Sequence, residues 1–478
     1  MKIKSLHLNS DSQVVKKIVN EVLDLFDSEF NEDLTIENFF RDEVVETHMK
    51  LGDREFFRSE RIRQDEIERA EINRLIKKNL YRIFIEDFGF DSAPWGILHG
   101  VRPTKLIHRW LNRGEDESQI LNRLETDYLA SAEKSQLIIE VANRQRSILE
   151  KNSRDVVSIY IGIPFCVTRC LYCSFASHVL PKSEKIREFM TALRRDIQAA
   201  RKSIEDLNLK VQTIYIGGGT PTSLPDEFFA EMIDLVSENF STDRLEEFTV
   251  EAGRPDTITR SKIESMNRAG VNRVSLNPQS MNQKTLDRIG RRHTPEDIIE
   301  KFHMLRESKN FYINMDTILG LPGETVNDVA ATIDQILELD PDGITIHSLA
   351  LKKGSRLKLQ LEDYELPIDS EVRSMYRVAV DKIRSRNYSP YYLYRQSYMR
   401  GDLENVGFTH NKLGIYNVQI MEENQTIIGI GGAATTKVLD LKSRKLMSSF
   451  NAKDLITYLR DTDYYIDKRS KLLEEFYD

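Results

Sequence analysis

Cysteine is scarce in this chain. Only three of its 478 residues are cysteine, and all fall within the eight positions from Cys166 to Cys173, the third being Cys170. An odd number so closely spaced excludes a disulfide framework. Thiolates packed this way normally share a metal ion or a cluster, whose positive charge keeps them deprotonated. Long apolar runs are lacking too, so no stretch is expected to span a bilayer. The opening segment, MKIKSLHLNSDSQVV, has no apolar core of the kind a signal peptide needs, and the expected location is the cytoplasm. Positive charge is not in excess either. A net charge of −8 argues against nucleic acid as the main ligand, while leaving room for a local basic patch that binds an anionic small molecule.

What is present is an ordinary globular composition, 40% hydrophobic and 30% charged, in a chain long enough for two or three domains. Residues 1–150 read as an accessory region, charged and mostly helical α/β. Ser59 to Phe84 places Ile62, Ile67, Ala70, Leu75 and Ile76 among charges of both signs, the pattern of an amphipathic helix. A second helical stretch runs from about Glu117 to Glu150. Between them, the turn-rich segment from Trp95 to Lys105 reads either as a packed corner or as a basic lid contributing Arg102 and Lys105.

From about Val156 the pattern changes. Apolar runs at Val157–Ile161, Thr213–Ile216, Glu247–Glu251, Arg273–Leu276, Tyr312–Ile318 and Gly343–Ile346 alternate with helical stretches such as Glu184–Leu207 and Val326–Leu339. Alternation of this kind predicts a parallel sheet with right-handed crossovers. Six units without a seventh and eighth predict an incomplete, open (β/α)6 barrel over residues 151–355, followed by a C-terminal extension over 356–478. Ligands then belong beyond the carboxyl ends of the strands.

The chemistry-bearing residues fall at those ends. Three sulfur ligands on one loop, spaced Cys-x3-Cys-x2-Cys after the first strand, leave one iron of a cubane without a protein ligand, and hence an open coordination site. A Cys3His zinc site completed by His178 competes with this reading on spacing alone. Gly217-Gly218-Gly219-Thr220 closes the second strand, either as a close approach to a ligand or as a tight strand-to-helix turn. Glu251 ends the third strand, where a carboxylate can accept hydrogen bonds from an amino group or a ribose. Gln279, Arg291 and Asp316 follow on the next two units. Each alone is an ordinary polar loop residue; their joint occurrence at consecutive strand ends is not.

Together these residues resemble the radical S-adenosylmethionine (SAM) superfamily. The stretches IPFCVTRCLYCSF (163–175), GGGTPT (217–222), DTILGLPGET (316–325) and SLALKKGSRL (348–357) are similar to those of oxygen-independent coproporphyrinogen III dehydrogenases. The segments GVRPTKL and YYLYRQSYMRGDLENVGF resemble the HemZ-type bacterial branch more narrowly. The resemblance implies that Cys166, Cys170 and Cys173 ligate one 4Fe–4S cluster. It implies that Tyr160, Gly218, Glu251 and Ala350 contact the SAM on the open iron, and that Tyr172, Gly219, Thr220, Gln279, Arg291 and Asp316 meet a second SAM. It further implies a tetrapyrrole substrate, a one-electron donor protein as partner, and conversion of two propionates to vinyl groups in haem biosynthesis.

Four substrate carboxylates call for basic clamps, for which Arg291, Arg292, Lys352, Lys353 and Arg395 are the candidates. Two departures stand out. Ser174-Phe175 follows the last cluster cysteine, where the well-studied dehydrogenases carry a further cysteine; that ending is similar to the related haem chaperones. Gly162-Ile163 stands where relatives usually show His-Ile. A haem-binding reading would draw an axial ligand from His178, His293, His347 or His410, and a third reading is another radical reaction on a tetrapyrrole.

Overall fold

Six parallel strands form the centre of the computed structural model, which describes every residue except 11, 27–28, 64–67, 99, 101, 397–398, 441–442, 444 and 478. They are Val156–Ile163, Lys210–Gly218, Glu247–Glu251, Arg273–Ser275, Tyr312–Leu319 and Gly343–Ser348, at the positions their β-branched runs predict. Helices Ser183–Asp206, Asp226–Phe240, Pro295–Arg306 and Val326–Leu339 are among the crossovers. The last two start on capping boxes, Thr294 with Asp297 and Thr325 with Asp328, which satisfy amide groups left over at the first turn.

The six-stranded array stays open among the described residues, and the C-terminal residues extend both of its edges into an eleven-stranded sheet. Asn405–Thr409 pairs antiparallel with the sixth strand and Ser389–Tyr394 lies outside it. On the other side Thr426–Gly431 runs parallel to the first strand, followed by Thr435–Leu439 and Leu446–Phe450. Residues 143–478 accordingly form one compact unit and residues 1–142 another.

Helices make up much of the first unit, and with them stands a four-stranded sheet of Lys2–Leu8, Glu29–Arg41, Val44–Leu51 and Arg54–Arg61. The helix read from Ser59 is corrected here. Ser59–Arg61 ends the fourth strand, the helix runs Glu68–Arg82, and Ile67 lies outside the described residues. Alternation decides it: in Val44–Leu51 every second side chain is buried, with Val45, Met49 and Leu51 in the core. The stretch from Glu117 is likewise two helices, Glu117–Asp127 and Ala132–Leu149, broken where Leu129 takes a positive φ of 56°. The corner after it in space holds Trp95 and Ile97 buried, with Arg102 half-buried and Lys105 exposed; His99 and Val101 of the same segment lie outside the described residues.

No helix among the described residues is long and apolar enough to cross a membrane.

Candidate active site

The cysteine loop leaves the first strand at Pro164 and returns at His178, where Phe165–Cys166 pairs with His178–Val179. Leu171 pins its middle. That side chain is buried with Leu286, Ile289, Leu321 and Leu357, its N–H donates to Ile289 O at 3.0 Å, and its carbonyl accepts from Leu357 N–H at 3.0 Å. Burying such a leucine stabilises the loop by about 1.5–3 kcal/mol. Its two neighbours in sequence, Cys170 and Tyr172, are thereby fixed against the barrel mouth.

The glycine turn meets this loop from below. Gly219 N–H donates to Ile163 O at 2.8 Å and Thr220 N–H to Phe165 O at 2.7 Å. A Cβ on Gly219 would stand 2.4 Å from Phe165 O, so the loop backbone fills the space a side chain needs. Thr220 Oγ1 lies 3.6 Å from Cys166 Sγ. Burial pushes the Cys166 and Cys173 thiols above their ordinary value, an effect that a positive centre bound between them reverses.

Glu251 is the hub of the strand ends. Its Oε1 accepts from Tyr215 O–H at 2.5 Å and its Oε2 from Gly218 N–H at 3.2 Å. Withdrawal from water raises its pKa to about 7, against the pull of the Tyr215 hydroxyl. Tyr160 stands over Gly218, its hydroxyl 3.4 Å from where a Cβ would sit. Tyr215 stacks on Tyr416 with ring centroids 4.3 Å apart, and Tyr160 stacks on both at 6.2 Å. Across the bore, Asp316 accepts from Asn314 Nδ2 at 2.7 Å and lies 3.7 Å from His347 Nε2, while His347 Nδ1 meets Tyr394 O–H at 3.3 Å.

The remaining predicted residues divide by neighbour. Gln279, at φ 67°, donates its N–H to Asp316 O at 3.0 Å, and its buried Oε1 has no partner. Arg291 is buried beside Tyr172 and Cys170, donates to Asn277 O at 2.5 Å, and leaves Nε without a partner. Ala350 bridges to Met399 just past the sixth strand. Orphaned polar atoms at the strand ends suit a polar ligand, since each costs free energy while unpaired.

Sequence reasoning passed over Tyr215, Tyr394, Tyr416 and Arg254. Tyr215 was within reach of it: Thr213, Tyr215 and Gly217 alternate along one face of the second strand. Arg254, 2% exposed, donates to Thr168 Oγ1 at 2.7 Å and so braces the cysteine loop, while pairing with Asp256 at 2.9 Å.

The clamp and haem-ligand candidates fare differently. Arg395 is buried against Asp402 and is no open clamp. His178 Nε2 lies 3.5 Å from Lys453 O, His410 stacks on Tyr388 and faces Asp340, and His293 is wholly buried with its pKa lowered to about 4 by burial. Among the described residues no three His, Cys, Asp or Glu side chains are drawn together as tightly as one metal ion requires. Three thiols on one loop, with no fourth cysteine in the chain, fit a cubane that keeps one iron open.

Comparison with known proteins agrees. The Radical SAM superfamily pattern matches residues 160–336. An oxygen-independent coproporphyrinogen-III oxidase-like protein HemZ from Bacillus subtilis is 40% identical over 396 residues, 81% of this chain and 78% of its own. The chain belongs to the radical SAM superfamily and to this coproporphyrinogen oxidase-like family within it. A 4Fe–4S cluster and SAM are the cofactors of the superfamily. The chain is also similar to the haem chaperone HemW of B. subtilis, 32% identical over 49% of this chain and 62% of that one. In fold it matches coproporphyrinogen III oxidase (HemN) from Escherichia coli, with a TM-score of 0.54 and 22% identity over 68% of this chain and 72% of that one.

Proposed function

We propose that this member of the superfamily is an oxidoreductase acting on a tetrapyrrole, and that its reaction is the oxygen-independent decarboxylation of two coproporphyrinogen III propionates to vinyl groups. The 40% identity to a coproporphyrinogen-III oxidase-like protein over most of both chains is the observation that carries the reading. Each propionate loses CO₂, a hydrogen atom and one further electron, the electron passing to an external one-electron acceptor. When bound, the cluster and SAM supply the carbon radical that takes the hydrogen atom.

The chain itself binds and orients. Cys166, Cys170 and Cys173 hold the cluster. Tyr160, Gly218, Glu251 and Ala350 hold one SAM, and Tyr172, Gly219, Thr220, Gln279, Arg291 and Asp316 hold a second. Glu251, with a pKa of about 7, is partly ionised at neutral pH and accepts from an ammonium group or a ribose hydroxyl. Tyr215 fixes the direction of that carboxylate, and the Tyr160–Tyr215–Tyr416 stack screens it from water.

The haem-chaperone reading rests on Ser174-Phe175 and on the similarity to HemW. The packing of His293 and the partners of His347 and His410 disfavour them as axial ligands. Anaerobic reconstitution, followed by SAM and coproporphyrinogen III with mass spectrometry of the products, separates the readings. Protoporphyrinogen with 5′-deoxyadenosine is the expected outcome. Deoxyadenosine without decarboxylated porphyrinogen defeats the dehydrogenase assignment, and stable 1:1 haem binding without turnover supports the chaperone.

A further inference from the structure

On its outer side the cysteine loop borders a cavity of about 910 Å³, whose lining shares only Arg291 with the residues assigned to the cofactors above. Arg169, Arg292 and Arg356 line it and are exposed. Arg169 Nη2 donates to Gly354 O at 2.7 Å and Arg356 Nη2 to Arg169 O at 2.5 Å, so two of these guanidinium groups are neighbours held by carbonyls. Among the described residues none of the three has a carboxylate within ion-pairing distance. Other exposed arginines do: Arg194 pairs with Glu231, Arg195 with Asp463 and Arg268 with Asp234. A single acid, Asp287, lines the same cavity. Concentrated unpaired positive charge in a chain of net charge −8 marks a place where an anionic partner arrives.

Two apolar side chains stand exposed on the same loop. Phe175 is 68% exposed, two residues past Cys173, and Val179, which also lines the cavity, is 63% exposed. Bare aromatic and aliphatic groups beside unpaired arginines match the make-up of a protein interface better than that of a small-anion pocket. The site also adjoins the thiols directly, since Arg169 is bonded to Cys170. No cysteine remains beyond the three to hold a second iron–sulfur centre, so no relay of that kind within the chain brings electrons to the first.

We propose that this arginine-rimmed face is the docking surface for a small acidic one-electron carrier protein. The inference rests on the cluster assignment above. In the encounter the reduced carrier loses one electron and the cluster gains it; no bond or proton changes hands. Redox encounters of this type use small interfaces and depend on charge for their speed.

The test uses the reconstituted full chain and a reduced bacterial flavodoxin as the acidic probe, with binding measured directly and 5′-deoxyadenosine formation measured in parallel. Arg169→Glu with Arg356→Glu is expected to weaken flavodoxin binding by about tenfold or more, while iron content and dithionite-driven deoxyadenosine formation stay within about twofold. Wild-type binding should weaken several-fold between about 50 and about 300 mM salt. Val179→Glu, at a side chain that takes no part in the carbonyl contacts of Arg169 and Arg356, should weaken binding in the same direction and serves if the double variant loses iron. Unchanged flavodoxin binding in the variants, or none in the wild type, overturns the proposal. So does a raised KM for coproporphyrinogen III under dithionite with flavodoxin binding intact, which would make the cleft a substrate clamp. If coproporphyrinogen is no substrate at all, the binding and deoxyadenosine measurements still decide the docking question.

Discussion

The cysteine loop and the strand-end cluster face one another across the barrel mouth, yet they are assembled by opposite means. The loop collects Cys166, Cys170, Tyr172 and Cys173 from eight consecutive residues and is fastened chiefly by one buried side chain, Leu171. The strand-end cluster draws Tyr160, Tyr215, Glu251, Asp316, His347 and Tyr416 from strands and a helix spread over more than half of the chain. Sequence adjacency gathers the loop's cysteines before any distant packing fastens them, whereas register must first bring the cluster's side chains together. Tyr160 is paired with Tyr215, Ser275 with Glu251, and Asp316 with Thr345, so a slip in any of these pairings turns a functional side chain to the other face.

The largest effect expected from breaking this contrast is on the loop alone. Cys170→Ala removes one of three thiolates, and iron bound per chain after anaerobic reconstitution should fall to background. Because the ligand contributes little to the barrel, urea unfolding of the cluster-free protein should move by less than about 1 kcal/mol. Full iron retention would defeat the ligand assignment. A shift of several kcal/mol would show that the loop is as deeply tied into the fold as the strand ends are.

Next comes the fastening. Leu171→Ala empties a buried site among Leu286, Ile289, Leu321 and Leu357 and should cost about 2–4 kcal/mol in urea unfolding. Its thiols are intact, so reconstitution should still yield a cluster, but one lost more readily to a chelator. Equal chelator sensitivity in the two proteins would mean that the backbone bonds to Ile289 and Leu357 hold the loop without the side chain.

This contrast also explains what was legible in the sequence. The loop was, because its three cysteines and the turn that supports it are each a contiguous motif. The six barrel strands were, because each is a β-branched run ended by turn residues, and all six fall where those runs lie. Tyr394 and Tyr416 were not: each reaches the site from an element that follows the barrel, Tyr394 through strand pairing and Tyr416 from the start of the helix Ile415–Glu422, whose first amides donate to Glu247. The first unit's sheet was missed for another reason. In Glu46-Thr47-His48-Met49-Lys50-Leu51 the buried positions alternate, but Thr47 fills one of them and Asn79 bonds it from the helix, so the apolar signal is diluted. Charge of both signs on the outer face then resembles a solvated helix.

The smallest effect should come from the strand-end cluster, and it has a pH signature. Tyr215→Phe keeps the ring that stacks on Tyr416 and removes only the hydroxyl that donates to Glu251. Glu251 has a pKa of about 7 in the folded chain, above its ordinary value of 4.5. The folded state therefore holds the proton more tightly than the unfolded one, so the stability linked to this group is full below pH 4.5 and is lost as pH rises through about 7. Removing the hydroxyl withdraws a bond that favours the ionised carboxylate, which raises the folded pKa further and deepens the loss on the alkaline side. In the cluster-free protein the variant should unfold about 1 kcal/mol more easily than wild type at pH 8, with a smaller gap at pH 5, where Glu251 is protonated in both. A gap of equal size at the two pH values would mean that the hydroxyl does not serve the carboxylate. Iron content should not change at either pH, since the hydroxyl touches the strand ends and leaves the cysteine loop alone.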